Sequence, residues 1–108
     1  MKGGFGMGDL MKQAQQMQKR MAKIQADLKE MVAEGNAGGG MVRAHVNGQR
    51  EVLSVKIDPE ILKSEEPEMV EDMIVAAVNQ GLKKAGEMAQ KEMGKATGGL
   101  DLSGLMGL

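Results

Sequence analysis

The first third of the chain carries apolar residues at alternating spacings of four and three. This heptad stripe comprises Leu10, Ala14, Met17, Met21, Ile24 and Leu28, with Met31 one step further on. The positions between them are mostly lysine, arginine and glutamine. Such spacing is typical of a helix that packs along a partner helix. Asp9 precedes the stripe and is a good N-cap residue, so we expect a helix that begins at Leu10.

The middle of the chain alternates between apolar and polar residues, as half-buried β-strands do. One face of the two alternating runs carries Val42, Ala44 and Val46, then Leu53, Val55 and Ile57. Asn47-Gly48 lies between the runs, and because both residues tolerate positive φ we predict a hairpin that turns there. Residues 31–35 are a weaker strand candidate, and the glycine-rich residues 36–40 predict a turn.

A second long helix is predicted from Pro67 onward, after a helical turn at residues 60–63. Its apolar positions are Val70, Ile74, Ala77, Val78, Leu82, Ala85, Met88 and Ala89. Gly81 and Gly86 interrupt this helix, and each costs about 1 kcal/mol relative to alanine in a helix interior. We therefore expect a close backbone approach at these glycines.

The predicted order of helix, β-meander and helix gives an α+β fold with one layer of sheet. We assign residues 1–8 to a flexible leader, 9–96 to a single α+β domain, and 97–108 to a disordered tail. One sheet and two helices leave the heptad stripe uncovered, so we expect a homodimer that covers it. The chain has 12 Met and one aromatic residue, Phe5. Flexible methionine specifies packing weakly, which suits a core built from two copies.

Charge is distributed unevenly, although the net charge is only -1. Residues 58–72 contain seven acids and one base, or -6, which leaves +5 on the rest of the chain. The basic residues on the predicted helices are Lys12, Lys19, Arg20 and Lys23, then Lys83, Lys84, Lys91 and Lys95. Either they contact DNA phosphates or they form solvated helix faces, and the second set also suits the negative end of a helix dipole.

Several other classes of function find no support in the residues. The chain has no cysteine and one histidine, His45, so no metal site, cofactor, small-molecule substrate or catalytic set is predicted. Three arginines offer little base readout, and one aromatic residue offers no stacking platform for single strands. With no signal peptide or membrane-length apolar stretch, we expect a cytoplasmic protein.

Four segments together resemble one family, the YbaB/EbfC nucleoid-associated proteins. They are residues 8–18 (GDLMKQAQQMQ), 46–48 (VNG), 55–59 (VKIDP) and 76–79 (AAVN). The resemblance implies an α-β-β-β-α protomer and a paired dimer with a continuous sheet and projecting helices that resemble tweezers. It further implies a protein that binds double-stranded DNA in the nucleoid, alters its conformation and contributes to gene regulation.

A protein-interaction adaptor is the alternative function. In that hypothesis the acidic residues 58–72 dock replication or recombination proteins, and a net charge near zero favours it over a simple polybasic DNA binder. Retention of such a partner after nuclease digestion, without duplex binding in dilute salt, would favour the adaptor.

Overall fold

The computed structural model describes residues 6–96 and has the predicted α+β architecture. Its elements are α1 (Met7–Glu30), β1 (Val32–Ala37), β2 (Val42–Asn47), β3 (Val52–Ile57), α2 (Pro59–Ser64) and α3 (Pro67–Ala96). The α-β-β-β-α order is confirmed, and the predicted helical turn after Asp58-Pro59 is the short helix α2. Most of the assigned leader and the whole assigned tail, at residues 1–5 and 97–108, lie outside the described residues, so these two assignments stay predictions.

The three strands form an antiparallel sheet in the order β1-β2-β3. Val42, Ala44 and Val46 of the central strand are fully buried, which confirms the alternation predicted for β2. The alternation predicted for β3 is wrong, because Leu53 is unpaired in a bulge and Leu53 and Val55 are 52% and 36% exposed. The weak strand candidate at residues 31–35 is a complete strand that pairs with β2 along its whole length. Gly38, Gly39 and Gly40 all have positive φ in the turn that follows it, so the glycine run there meets a backbone requirement.

The hairpin between β2 and β3 is confirmed, but its predicted Asn47-Gly48 turn is wrong. Among the described residues, positive φ occurs in this hairpin only at Arg50, at 64°. The connection is longer than two residues: the backbone N–H of Asn47 donates to the carbonyl of Glu51 at 3.0 Å. The pairing also shifts by one residue between His45 and Val46, which gives β3 a bulge.

Asn47 and Gly48 have other structural roles in this turn. The Asn47 side chain is buried, and its Oδ1 accepts hydrogen bonds from the backbone N–H groups of Gln49 and Glu51, each at 3.0 Å. A Cβ at position 48 would lie 2.8 Å from the Cβ of Leu28. Gly48 is therefore required because α1 packs against it, while Asn47 holds the turn through its amide.

Helix α3 crosses the inner face of the sheet and supplies most of the core. Its N-terminal half packs on Val42 and Ala44, and its Ala85 packs on Ala33 and Val46. The expected backbone approach is confirmed at Gly81, whose backbone N and Cα lie against Gly35 of β1. At Gly86 the neighbour is instead a side chain, that of Arg50.

Helix α1 forms an arm that contacts the rest of the protomer mainly through its last turns. It begins at Met7 with Gly6 as N-cap, so the predicted start at Leu10 was wrong, and Asp9 lies in the first turn. Only Leu28 of the helix is buried, and every residue from Met7 to Arg20 is exposed. The protomer measures 77 × 27 × 18 Å. Since 24 helical residues span about 36 Å, the arm accounts for much of that length.

Candidate nucleic-acid interface

The heptad stripe is solvent-exposed over most of α1 in a single protomer. Leu10 and Met17 are 52% and 46% exposed, and Met21 and Ile24 are half-buried. Leu28, at the end of the stripe, packs on the β2–β3 turn. This leaves an apolar row along the arm that no other part of residues 6–96 covers.

The predicted basic residues of α1 lie away from the stripe. With 3.6 residues per turn, Lys12, Lys19 and Lys23 fall within about 40° of one another on the helix. They lie on the side roughly opposite the stripe, whereas Arg20 lies about midway between the lysines and the stripe. All four are exposed, and within residues 6–96 none of them forms an ion pair. The arm therefore has one apolar side and one cationic side.

The predicted basic residues of α3 do not form one row. Lys84, Lys91 and Lys95 lie toward the same side of the helix, whereas Lys83 lies about 100° away from Lys84. All four are exposed, but Lys95 is paired with Glu92 at 3.0 Å. The geometry thus brings three of the four together and leaves Lys83 separate.

The acid-rich segment, residues 58–72, lies at the other end of the sheet from the α1 arm. Helix α2 and the start of α3 pack near Val42 through Ile61 and Val70, whereas α1 packs beside Asn47 at the opposite end of β2. The carboxylate of Asp58 caps α2 by accepting from the backbone N–H of Glu60 at 2.9 Å. Positive and negative charge are therefore separated along the molecule, which reconciles a cationic arm with a net charge of -1.

His45 is part of a polar row on the outer face of the sheet. Its Nε2 lies 3.0 Å from Oε1 of Glu34, and its Nδ1 lies 3.2 Å from Oγ of Ser54. Over residues 6–96, no three histidine or acidic side chains come together as a metal site would require. In the same part of the chain, no helix is long and apolar enough to cross a membrane.

One exposed cation, Arg50, was not among the predicted site residues. It lies in the β2–β3 turn with its guanidinium against Gly86 of α3. The sequence of the turn did not indicate a role for Arg50, because arginine at positive φ is rare. Gly86, on which it packs, lies 36 positions later in the sequence.

The fold and the arm define an elongated α+β protein with a cationic projecting helix. The chain belongs to the YbaB/EbfC DNA-binding family, whose model matches residues 2–100. That family is described by DNA binding and not by a catalytic activity.

Curated relatives cover nearly the whole chain. A nucleoid-associated protein of Caldanaerobacter subterraneus is 47% identical over 95% of this chain and 93% of the relative. One of Alkaliphilus metalliredigens is 49% identical, over 97% and 92%. One of Syntrophobacter fumaroxidans is 52% identical, over 88% and 86%.

A solved structure shares the fold. The crystal structure of an uncharacterized protein from Helicobacter pylori has a TM-score of 0.72 and 24% identity, and the match covers 82% of this chain and 92% of that one. This likeness concerns the fold alone.

Proposed function

We propose that the protein is a nucleoid-associated protein that binds duplex DNA as a homodimer, through phosphate contacts and with relaxed sequence specificity. The observation that carries the proposal is the division of α1 into an apolar side and a cationic side. A second copy that covers the apolar side leaves Lys12, Lys19 and Lys23 facing outward. Dimerisation therefore doubles the number of cations without covering them.

The apolar residues that one protomer leaves exposed support the dimer. Besides Leu10 and Met17, the strand β3 exposes Val52, Leu53 and Val55 by 46%, 52% and 36%. These residues lie at an open edge of the sheet, since within the described part of the chain β3 pairs with β2 alone. Exposed apolar rows and open strand edges are surfaces that proteins cover by association.

DNA contact is proposed for the eight predicted basic residues, with the α1 set as the main group. Lys12 to Lys23 spans about 17 Å of helix, long enough to reach several successive phosphates of a DNA strand. Lys84 and Lys91 act in support, with Lys83 and the paired Lys95 contributing less. Because lysine binds phosphate as a point charge, such contacts attract DNA of any sequence.

Family membership and the names of the relatives support a role in the nucleoid, where the protein alters DNA conformation and thereby influences gene expression. We propose no cofactor, metal, small-molecule substrate or catalytic activity. The comparisons give no support to the adaptor alternative, and the acidic residue Asp58 already has a structural role as a helix cap.

A salt-titrated binding isotherm on random duplex DNA tests the proposal. Affinity should fall linearly on a log–log plot, with a slope of about -0.9 for each phosphate contacted. The double variant Lys19→Ala/Lys23→Ala should bind more weakly and with a shallower slope. The matched control Lys56→Ala/Lys63→Ala removes the same charge from the sheet and the acidic end. Equal loss in both variants, or binding insensitive to salt, would contradict the proposal.

A further inference from the structure

The turn between β2 and β3 connects the arm α1 to the long helix α3. The backbone N–H of Gly48 donates to the carbonyl of Leu28 at 2.8 Å, and Nε2 of Gln49 donates to the carbonyl of Gln25 at 2.8 Å. The next residue, Arg50, extends the other way and lies against α3. This turn is therefore the point where the two helices are held together at the base of the arm.

Arg50 adopts a backbone conformation that is unfavourable for arginine. Its φ of 64° lies in the left-handed region, where glycine, asparagine and aspartate are the usual residues. Hydrogen bonds hold the residue there: its N–H donates to the carbonyl of Asn47 at 3.0 Å, and the buried Asn47 amide fixes the residues on either side. A strained residue held by its surroundings is a common feature of functional sites.

The guanidinium of Arg50 packs on α3 at Gly86. A Cβ at position 86 would lie 3.0 Å from Nη2 and 3.7 Å from Cζ of Arg50, so a glycine is what lets the guanidinium lie this close to the helix. A methyl group at position 86 would shift the guanidinium by only a few tenths of an ångström, whereas a long side chain there would displace it. Lys83 lies three residues before Gly86 and therefore occupies a neighbouring position on the same side of α3.

No group in the described part of the chain accepts a hydrogen bond from this guanidinium or forms an ion pair with it. Its position is defined by packing, yet its five N–H donors remain available to a ligand. Arginine presents these donors as a rigid fork that matches the two oxygens of a phosphate.

We infer that Arg50 is a DNA-contacting residue that binds a backbone phosphate at the base of the α1 arm, positioned by Gly86. This rests on the proposed function and adds a contact outside the two helical sets of lysines. The contact lies where the same turn is bonded to α1 two residues beyond Lys23 and packs on α3 one turn beyond Lys83, whereas Lys84, Lys91 and Lys95 lie on the other side of α3. It would fix where the duplex lies relative to the arm.

The first test removes the guanidinium without straining the chain. Arg50→Gly suits the positive φ, so the midpoint of urea unfolding should stay the same or rise. DNA affinity should fall about tenfold, and the salt slope should become shallower by about 0.9 for each phosphate that the variant no longer binds. Arg50→Lys should keep the slope but lose part of the affinity, since it retains the charge without the fork. Lys63→Ala, which also removes one charge, is the control and should bind like the wild type.

A second test uses Gly86, which does not touch DNA in this arrangement. Gly86→Leu should displace the guanidinium and weaken binding about as much as Arg50→Gly. In the double variant the two effects should not add, because both act on the same interaction with phosphate. Additive effects would overturn the inference.

The outcomes separate this inference from the proposed function. If Arg50→Gly binds with wild-type affinity and slope while Lys19→Ala/Lys23→Ala is weakened, Arg50 does not touch DNA and the proposed function stands. A loss of affinity with an unchanged slope and a lower unfolding midpoint would assign Arg50 a structural role and overturn the inference. If the wild-type protein does not bind duplex DNA, both are wrong.

Discussion

Gly35→Ala tests the closest approach in the fold, where β1 meets α3 without side chains between them. A Cβ at position 35 would contact the carbonyl oxygen of Ala77 and the backbone N of Gly81, and would lie 2.9 Å from the Cα of Gly81. These are backbone atoms in the interior of a helix, so they cannot rotate away. The helix must move off the sheet to admit the methyl group.

The magnitude follows from what that movement disturbs. Overpacking a core costs typically 1–3 kcal/mol, and a shift of α3 also loosens its packing on Ala33, Ala44 and Val46, so we expect the upper end of that range. Alanine also restricts the unfolded chain more than glycine does, which offsets about 0.4–1 kcal/mol of this loss in stability. The net loss should be about 2–2.6 kcal/mol, or a fall in Tm of roughly 8–20 °C for a domain of this size.

The assay is urea unfolding followed by circular dichroism, with the protomer concentration held fixed because association would make stability concentration-dependent. Gly94→Ala is the matched control: a Cβ there meets nothing within 4 Å, so it should stabilise α3 by up to about 1 kcal/mol. Gly81→Ala should fall between the two, since its Cβ would lie 2.8 Å from a methyl group of Val46, which can adjust. A Gly35→Ala protein as stable as the wild type would refute the backbone approach.

Three further predictions concern the turn and the arm. Asn47→Ala should lower the free energy of unfolding by about 1–3 kcal/mol, because it removes the acceptor of two part-buried backbone hydrogen bonds. A loss under about 1 kcal/mol in urea unfolding would contradict that role. Leu28→Ala should lower the free energy of unfolding by about 2–4 kcal/mol, since Leu28 is buried against Gly48. Leu10→Ala, at an exposed position of the same helix, should lower it much less at concentrations where the protein is monomeric. Equal losses in the two variants would show that the arm is packed along its whole length. Met17→Glu should convert dimer to monomer in size-exclusion chromatography while the helix content of each protomer stays the same, and an unchanged elution volume would count against the stripe as the interface.

The sequence predicted the elements and the core faces well because these follow from periodicity. The alternation of Val42, Ala44 and Val46 identified the central strand and its inner face, and the glycine at position 81 indicated the close approach of helix and sheet. The partner of that approach, Gly35, was not predictable, since nothing near it in the sequence specifies which strand a helix 46 residues later will touch.

The turn after β2 shows why local signals failed. Asn47-Gly48 has the residues of a two-residue hairpin turn, but tertiary contacts use them otherwise: Gly48 admits Leu28, and the Asn47 amide holds a longer turn. The positive φ therefore falls on Arg50, a residue type that no turn preference favours there. The start of α1 was missed for a related reason, since Gly6 serves as N-cap without a side chain and Asp9 lies in the first turn.

The candidate site was predictable only in part. Helical spacing predicted one basic face of α1 made by Lys12, Lys19, Arg20 and Lys23. The structure keeps the three lysines on one side of α1, opposite the apolar stripe, but places Arg20 between that side and the stripe. It does not place Lys83 with Lys84, because adjacent residues on a helix point about 100° apart. Arg50 could not be found without the fold, since its position depends on Gly86.

Sedimentation equilibrium of the purified chain at micromolar concentration tests the central idea most directly. If the methionine- and leucine-rich side of the arm is a shared surface, the mass should be twice that of the 11.5 kDa chain, and Met17→Glu should reduce it to one chain. A wild-type protein that is fully folded and sediments as a single 11.5 kDa chain would contradict the account.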